Sequence, residues 1–208
     1  MTMSDWPHID KNTPSPKLPL RGNVITRNFS KLVLKAFGFK IIGSLPPMRK
    51  LVAIVGPHTS NWDFVIGMFI QYALGVKFSF MIKKSAFVPG FKPILLHLGG
   101  VPIDRTAAAD ITEQMVTRYE ESDELVLVIT PEGTRSNKKS VKSGFHRIAK
   151  SAGVPIMITR LDFAKRELQV GHMIDSDISW EELSALLDEY FEGVKGKNGY
   201  WMDRKPNA

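Results

Sequence analysis

Gly56-Pro57-His58-Thr59-Ser60-Asn61-Trp62-Asp63 joins two apolar runs of different kind. Leu51–Val55, before it, is short and rich in β-branched residues, as a buried strand is. Phe64–Ala73, after it, is long enough for a helix. A histidine in such a strand-to-helix turn sits where backbone is exposed and side chains converge on ligands. Asp63, five residues on, falls in the first helical turn, within reach of the imidazole. That pair would hold one tautomer and leave the other ring nitrogen to accept a proton. A second reading is equally physical. Ser60-x-x-Asp63 is a capping box, with Asp63 at the third helical position bonding the cap's N–H.

Outward from this turn the pattern alternates strand and helix. Strands are predicted at Leu51–Val55, Lys77–Ile82, Gly100–Ile103, Leu125–Ile129, Val154–Thr159 and Glu167–His172. Helices are predicted at Trp62–Leu74, Lys92–Leu98, Ala107–Glu121, Ser143–Ala152 and Trp180–Gly193. This predicts an α/β fold, a single domain with a mostly parallel, largely buried central sheet flanked by helices.

Four segments follow: an extended arm over residues 1–22, an amphipathic helical segment over 23–48, the catalytic domain over 49–194, and a polar tail over 195–208. The tail is expected to fray, apart from Tyr200-Trp201, whose aromatics would dock on the domain. In the helical segment Val24, Ile25, Phe29, Leu32, Val33, Leu34, Phe37 and Phe39 recur at helical spacing, interleaved with Arg27, Lys31, Lys35 and Lys40. Such a helix either lies in a membrane interface with its lysines near phosphates or packs its apolar face on the domain.

Composition narrows the function classes. The 208 residues are 43% hydrophobic and 24% charged, a globular balance with room for a sizeable core. The absence of cysteine rules out disulfides, thiolate nucleophiles and cysteine-ligated metal sites. A net charge of +7 favours anionic partners: phosphate groups, anionic lipid, nucleic acid or an acidic carrier protein. Met1–Leu20 is polar, carries four prolines and offers no signal-peptide pattern. Phe64–Ile82, the best candidate membrane span, is broken by Gln71 and Lys77, and its second half alternates like a strand.

Other polar clusters recur where strands end, the place at which α/β folds build sites. Asp104-Arg105 follows Ile103, with Gly99-Gly100 ahead permitting close backbone approach. It reads either as a bidentate receptor for phosphate or as an internal ion pair at a helix start. Thr130-Pro131-Glu132-Gly133-Thr134-Arg135-Ser136 follows Ile129. It makes a tight turn that also offers a carboxylate, a guanidinium and backbone N–H groups suited to a phosphate. Lys83-Lys84 either extends a basic rim or is a plain surface pair. His146, near the Glu132–Arg135 turn, reads as a helix-surface histidine. Serine-hydrolase, zinc-protease and nucleotide-loop motifs are missing, and no nucleic-acid-binding signature is present.

Taken in order, His58-x4-Asp63, Gly99-Gly100-Val101-Pro102-Ile103-Asp104-Arg105, Pro131-Glu132-Gly133-Thr134-Arg135 and Val154-Pro155-Ile156 resemble the four motifs of the glycerolipid acyltransferases. The resemblance implies transfer of an acyl group from acyl-CoA or acyl carrier protein to a hydroxyl, with no metal or cofactor. His58 would be the general base, Asp63 its orienting carboxylate, and the hydroxyl would attack the thioester without an acyl-enzyme. Arg105, Glu132 and Arg135 would bind the acceptor headgroup, with Gly133 and Thr134 in the same turn and Lys84 on the rim.

The acceptor so implied is a lysolipid such as 1-acylglycerol-3-phosphate. The chain would act in the cytoplasm, at the inner membrane face, held there by its basic amphipathic helix. Departures fall at Pro57, where many members carry Asn, at Pro102, where a large apolar residue is usual, and at the N-terminus, where the shorter basic helix replaces membrane-spanning ones. Two further readings use the same residues: a thioesterase or other hydrolase in which His58 activates water, and a non-catalytic protein that binds anionic lipid.

Overall fold

The computed structural model describes residues 18–106, 110–132 and 141–201. Seven strands form one sheet in the order β1-β7-β6-β2-β5-β3-β4. They are β1 (Lys40–Ile42), β2 (Lys50–Gly56), β3 (Phe78–Lys83), β4 (Gly100–Ile103), β5 (Leu125–Ile129), β6 (Ile156–Asp162) and β7 (Glu167–Ile174). The five strands β6-β2-β5-β3-β4 are mutually parallel. Strand β7 returns antiparallel beside β6, and β1 runs parallel to β7 at the far edge. The helices are α1 (Val24–Ala36), α2 (Trp62–Leu74), α3 (Lys92–Leu98), α4 (Ile111–Glu121), α5 (Gly144–Ala152) and α6 (Trp180–Tyr190).

Each central strand feeds two cores, because successive side chains leave opposite faces. Along β2, Val52 and Ile54 enter the core covered by α4, α5 and α6, while Leu51 and Ala53 enter the one covered by α1 and α2. Burial on both faces is why Leu51–Ile54 and Leu125–Leu127 read as unbroken apolar runs. The prolines obey the same geometry. Pro102 lies in β4, the outermost strand, where a missing N–H breaks no ladder.

Helix ends follow from local chemistry. Asn23 and Thr26 cap α1 reciprocally, at 2.9 Å in each direction. Ser179 and Glu182 cap α6 in the same way. Gly99 ends α3 at φ +103°, where a Cβ would stand 2.1 Å from the Phe78 carbonyl oxygen. Only glycine fits there, as the Gly99-Gly100 pair suggested.

Three expectations change. Lys40–Ile42, counted with the helical segment, is an edge strand of the sheet. His146 is buried, with Nε2 2.9 Å from the Ile178 carbonyl oxygen and its ring against Trp180, so it is a core histidine. Residues 195–199, expected to fray, close into a loop bridged between Lys195 and Tyr200, and Trp201 docks on the domain as expected. Trp201 is 2% exposed, stacks on Phe191 at 4.2 Å and donates from Nε1 to Asp188 Oδ1 at 3.1 Å. Burying an indole with a satisfied N–H outweighs the polarity of the residues that lead to it.

Candidate active site

The C-terminal ends of β2 and β5 are neighbours, since Ile54 stands opposite Ile129 in the ladder. This brings the turn after β2 against the turn after β5. His58 follows β2, and its backbone N–H donates to Oε2 of Glu132, 74 residues away in sequence. The peptide between Gly56 and Pro57 is cis.

Asp63 sits in the first turn of α2, and its Oδ2 is the hub of the loop. That oxygen lies 2.9 Å from His58 Nδ1 and accepts the backbone N–H groups of Thr59 at 2.8 Å and Ser60 at 2.9 Å. Ser60 Oγ in turn accepts the Trp62 N–H at 3.1 Å. Of the two sequence readings of Asp63, the pairing with the imidazole is made, while the capping box is made only in half. Asp63 takes the Ser60 N–H, but the helix cap falls at Asn61 without a side-chain bond, and the two backbone N–H groups are what give the carboxylate a fixed direction.

With a carboxylate oxygen against Nδ1, the neutral ring carries its proton there and its lone pair on Nε2. The His58 side chain is 17% exposed against 7% for Asp63. The ring is therefore the more open of the two, and the carboxylate stays behind it. The helix N-terminus adds favourable potential for that carboxylate.

Glu132 is 1% exposed. It lies beneath the His58 turn as a support for its backbone, with little surface to present to a headgroup. Lys84 and Asp104, at the ends of adjacent strands β3 and β4, form an ion pair at 3.4 Å. Asp104 Oδ1 also takes the Thr106 N–H at 3.0 Å and the Thr106 hydroxyl at 2.7 Å. The Thr106 hydroxyl first, then its N–H, then Lys84, hold the Asp104 carboxyl down at about 2. The internal pair foreseen for Asp104-Arg105 is thus made to Lys84 instead, and Arg105 stands exposed beside it. Gly133, Thr134 and Arg135 lie outside the described residues.

Two supports escaped sequence reasoning. Gln114 of α4 brackets the backbone of Asp104, accepting its N–H at 3.0 Å and donating to its carbonyl oxygen at 2.7 Å. Asn198 reaches the His58 loop from the C-terminal segment, donating from Nδ2 to the Thr59 carbonyl oxygen at 3.2 Å. A polar residue on a helix or in a tail carries no local signal for such a contact.

Residues 41–159, more than half of the chain, match the sequence profile of the Acyltransferase family. A comparison with curated proteins finds no match. Among solved structures the chain is similar to the 1-acyl-sn-glycerophosphate (LPA) acyltransferase PlsC from Thermotoga maritima. The TM-score is 0.55 at 18% identity, over 80% of this chain and 75% of that one.

Proposed function

Because this chain belongs to the Acyltransferase family, we propose that it moves a fatty acyl group from a thioester donor to the hydroxyl of a lysophospholipid-type acceptor. The donor is acyl-CoA or acyl carrier protein, and the acceptor is 1-acylglycerol-3-phosphate or a related lysolipid. One observation carries the mechanism: His58 Nδ1 rests on an Asp63 oxygen that two backbone N–H groups already hold in place.

His58 Nε2 takes the acceptor's proton as its oxygen attacks the thioester carbonyl carbon. The tetrahedral intermediate collapses, the C–S bond breaks, and the imidazolium returns the proton to the departing thiolate. Asp63 stabilises the imidazolium between these steps. Arg105 and Arg135 bind the acceptor phosphate, with Lys84 on the rim and Gly133 and Thr134 shaping the turn.

The acceptor lies in a bilayer, and the surface is arranged for one. On α1, Val24, Ile25 and Leu32 are each more than 60% exposed, and Arg27, Lys31 and Lys35 share the helix. The short α3 buries none of its side chains, and Phe91, Ile94 and Leu96 stand out beside Lys92. Arg21 stacks on Tyr72 of α2 and donates to the His97 carbonyl oxygen of α3, which ties that side of the molecule together. Among the described residues no helix is long and apolar enough to cross a membrane. The exposed apolar and basic residues of α1 and α3 support the reading of peripheral association with the anionic inner face of the membrane.

The test is a panel of labelled acyl-CoA and acyl carrier protein donors against lysolipid acceptors, with His58→Ala alongside. The expected product depends on both acceptor and His58, with the variant ~10²–10⁴-fold slower. Arg105→Ala and Arg135→Ala are expected to raise the acceptor KM. Free fatty acid released without acceptor would make the protein a thioesterase and overturn the proposal.

A further inference from the structure

Residues 195–200 form a small closed loop. Gly196 N–H donates to the Gly199 carbonyl oxygen at 2.7 Å, Lys195 and Tyr200 are bridged, and the Trp201 N–H returns to the Val194 carbonyl oxygen at 3.3 Å. Its base is pinned to the sheet, because the Phe163 N–H donates to the Lys195 carbonyl oxygen at 2.8 Å. The whole loop lies beyond the stretch that matches the family profile.

This strap touches the His58 turn on both sides of the histidine. Ahead of it, Trp201 lies against Gly56 so closely that a Cβ there would stand 2.7 Å from the indole. Behind it, Asn198 grips Thr59 twice. Its backbone N–H donates to Thr59 Oγ1 and its Nδ2 to the Thr59 carbonyl oxygen, each at 3.2 Å. Gly196 packs on the same residue, where a Cβ would be 2.4 Å from Thr59 Oγ1. Thr59 is the residue whose N–H holds Asp63 Oδ2 at 2.8 Å. The Thr59 carbonyl shares its peptide group with the Ser60 N–H, which donates to the same Asp63 Oδ2 at 2.9 Å, so that peptide is held by Asp63 at one end and by the strap at the other.

We infer that the strap sets the orientation of the general base, with Asn198 as its positioning residue acting through Thr59 and Asp63. The inference rests on His58 being the base proposed above. Thr59 is buried, and without the Asn198 amide its carbonyl must turn to find another donor. Turning it swings the Ser60 N–H, which lies in the same peptide plane, away from Asp63 and loosens the carboxylate that fixes the ring.

The experiment compares Asn198→Asp, which places an acceptor against the Thr59 carbonyl, with Asn198→His, which restores an N–H donor near the same point. Asn198 is exposed, so both variants are expected to fold with wild-type circular dichroism. For Asn198→Asp we expect kcat to fall about tenfold with acceptor KM unchanged within about twofold. Nitrogen-15 spectra of the His58 ring should pass from one Nδ1–H tautomer to a mixture, and Asn198→His should restore both readouts. Gly196→Ala, which drives a methyl into Thr59, should reproduce the Asn198→Asp result. A wild-type kcat in Asn198→Asp, or an unaltered ring spectrum beside a lowered kcat, would overturn the inference. The ring spectrum needs no substrate. A wild-type protein silent towards every lysolipid would therefore count against the proposed acceptor, and the strap would still be tested.

Discussion

Replacing Asp63 separates the two roles that its Oδ2 combines. Asp63→Ala removes the acceptor from three nitrogens at once: His58 Nδ1 and the backbone N–H groups of Thr59 and Ser60. The ring can turn towards water, but Thr59 and Ser60 are each only 7% exposed. Two buried N–H groups left without a partner cost ~1–3 kcal/mol each, so ~2–6 kcal/mol in all. For a domain of this size that lowers Tm by roughly 4–24 °C.

Asp63→Asn keeps an oxygen that still accepts from both backbone groups. Its stability loss should be smaller, within ~1–2 kcal/mol, the difference between charge-assisted and neutral bonds. Activity follows a different order. Both variants lose the charge that supports the imidazolium, so both should lose ~10²–10⁴-fold in kcat. Thermal unfolding and steady-state acyl transfer on the same preparations read the two effects. Equal loss of Tm in both variants, or a wild-type kcat in Asp63→Asn, would refute the shared-oxygen account.

Further outcomes follow from the rest of the structure. Thr106→Ala should raise the Asp104 pKa from about 2 towards its ordinary 3.8, read by carboxyl carbon NMR. Because the folded value is depressed, the stability contributed by this ionisation is complete above 3.8 and lost as pH falls towards 2. The variant should narrow that window, and an unmoved midpoint would remove Thr106 as the cause. Gly99→Ala sets a methyl on the Phe78 carbonyl at a positive φ and should cost ~2 kcal/mol or more, as a lower urea midpoint at constant slope. Ile25→Asp, at an α1 position 78% exposed, should cut sedimentation with anionic vesicles about tenfold while leaving the urea midpoint in place. Unchanged sedimentation would detach α1 from the membrane reading.

Sequence alone located what depends on local pattern. Strands β4 and β5 and helices α2 and α3 fall on their predicted bounds, because apolar runs bracketed by glycine, proline or charge report their own ends. The histidine–carboxylate pair was legible because its partners lie within one turn. Contacts made across the fold were not. Lys40–Ile42 is too short to show a period, and it is a strand only because β7 lies beside it. The burial of Glu132 depends on the adjacency of β2 and β5, which no window of sequence contains. Asn198 bonds Thr59 across 139 residues, from a stretch without apolar pattern.

The two-faced packing of β2 bears on which lengths of chain this protein tolerates. Each residue of Leu51–Ile54 belongs to the opposite core from its neighbour. Removing or adding one residue there would exchange the two sets wholesale and point the following turn at the wrong layer. The same single-residue change in the exposed turn at Ala164–Lys165, between β6 and β7, leaves both cores untouched. A deletion scan should therefore find β2 intolerant at every position, and natural drift in chain length should collect in exposed turns rather than in the central strands.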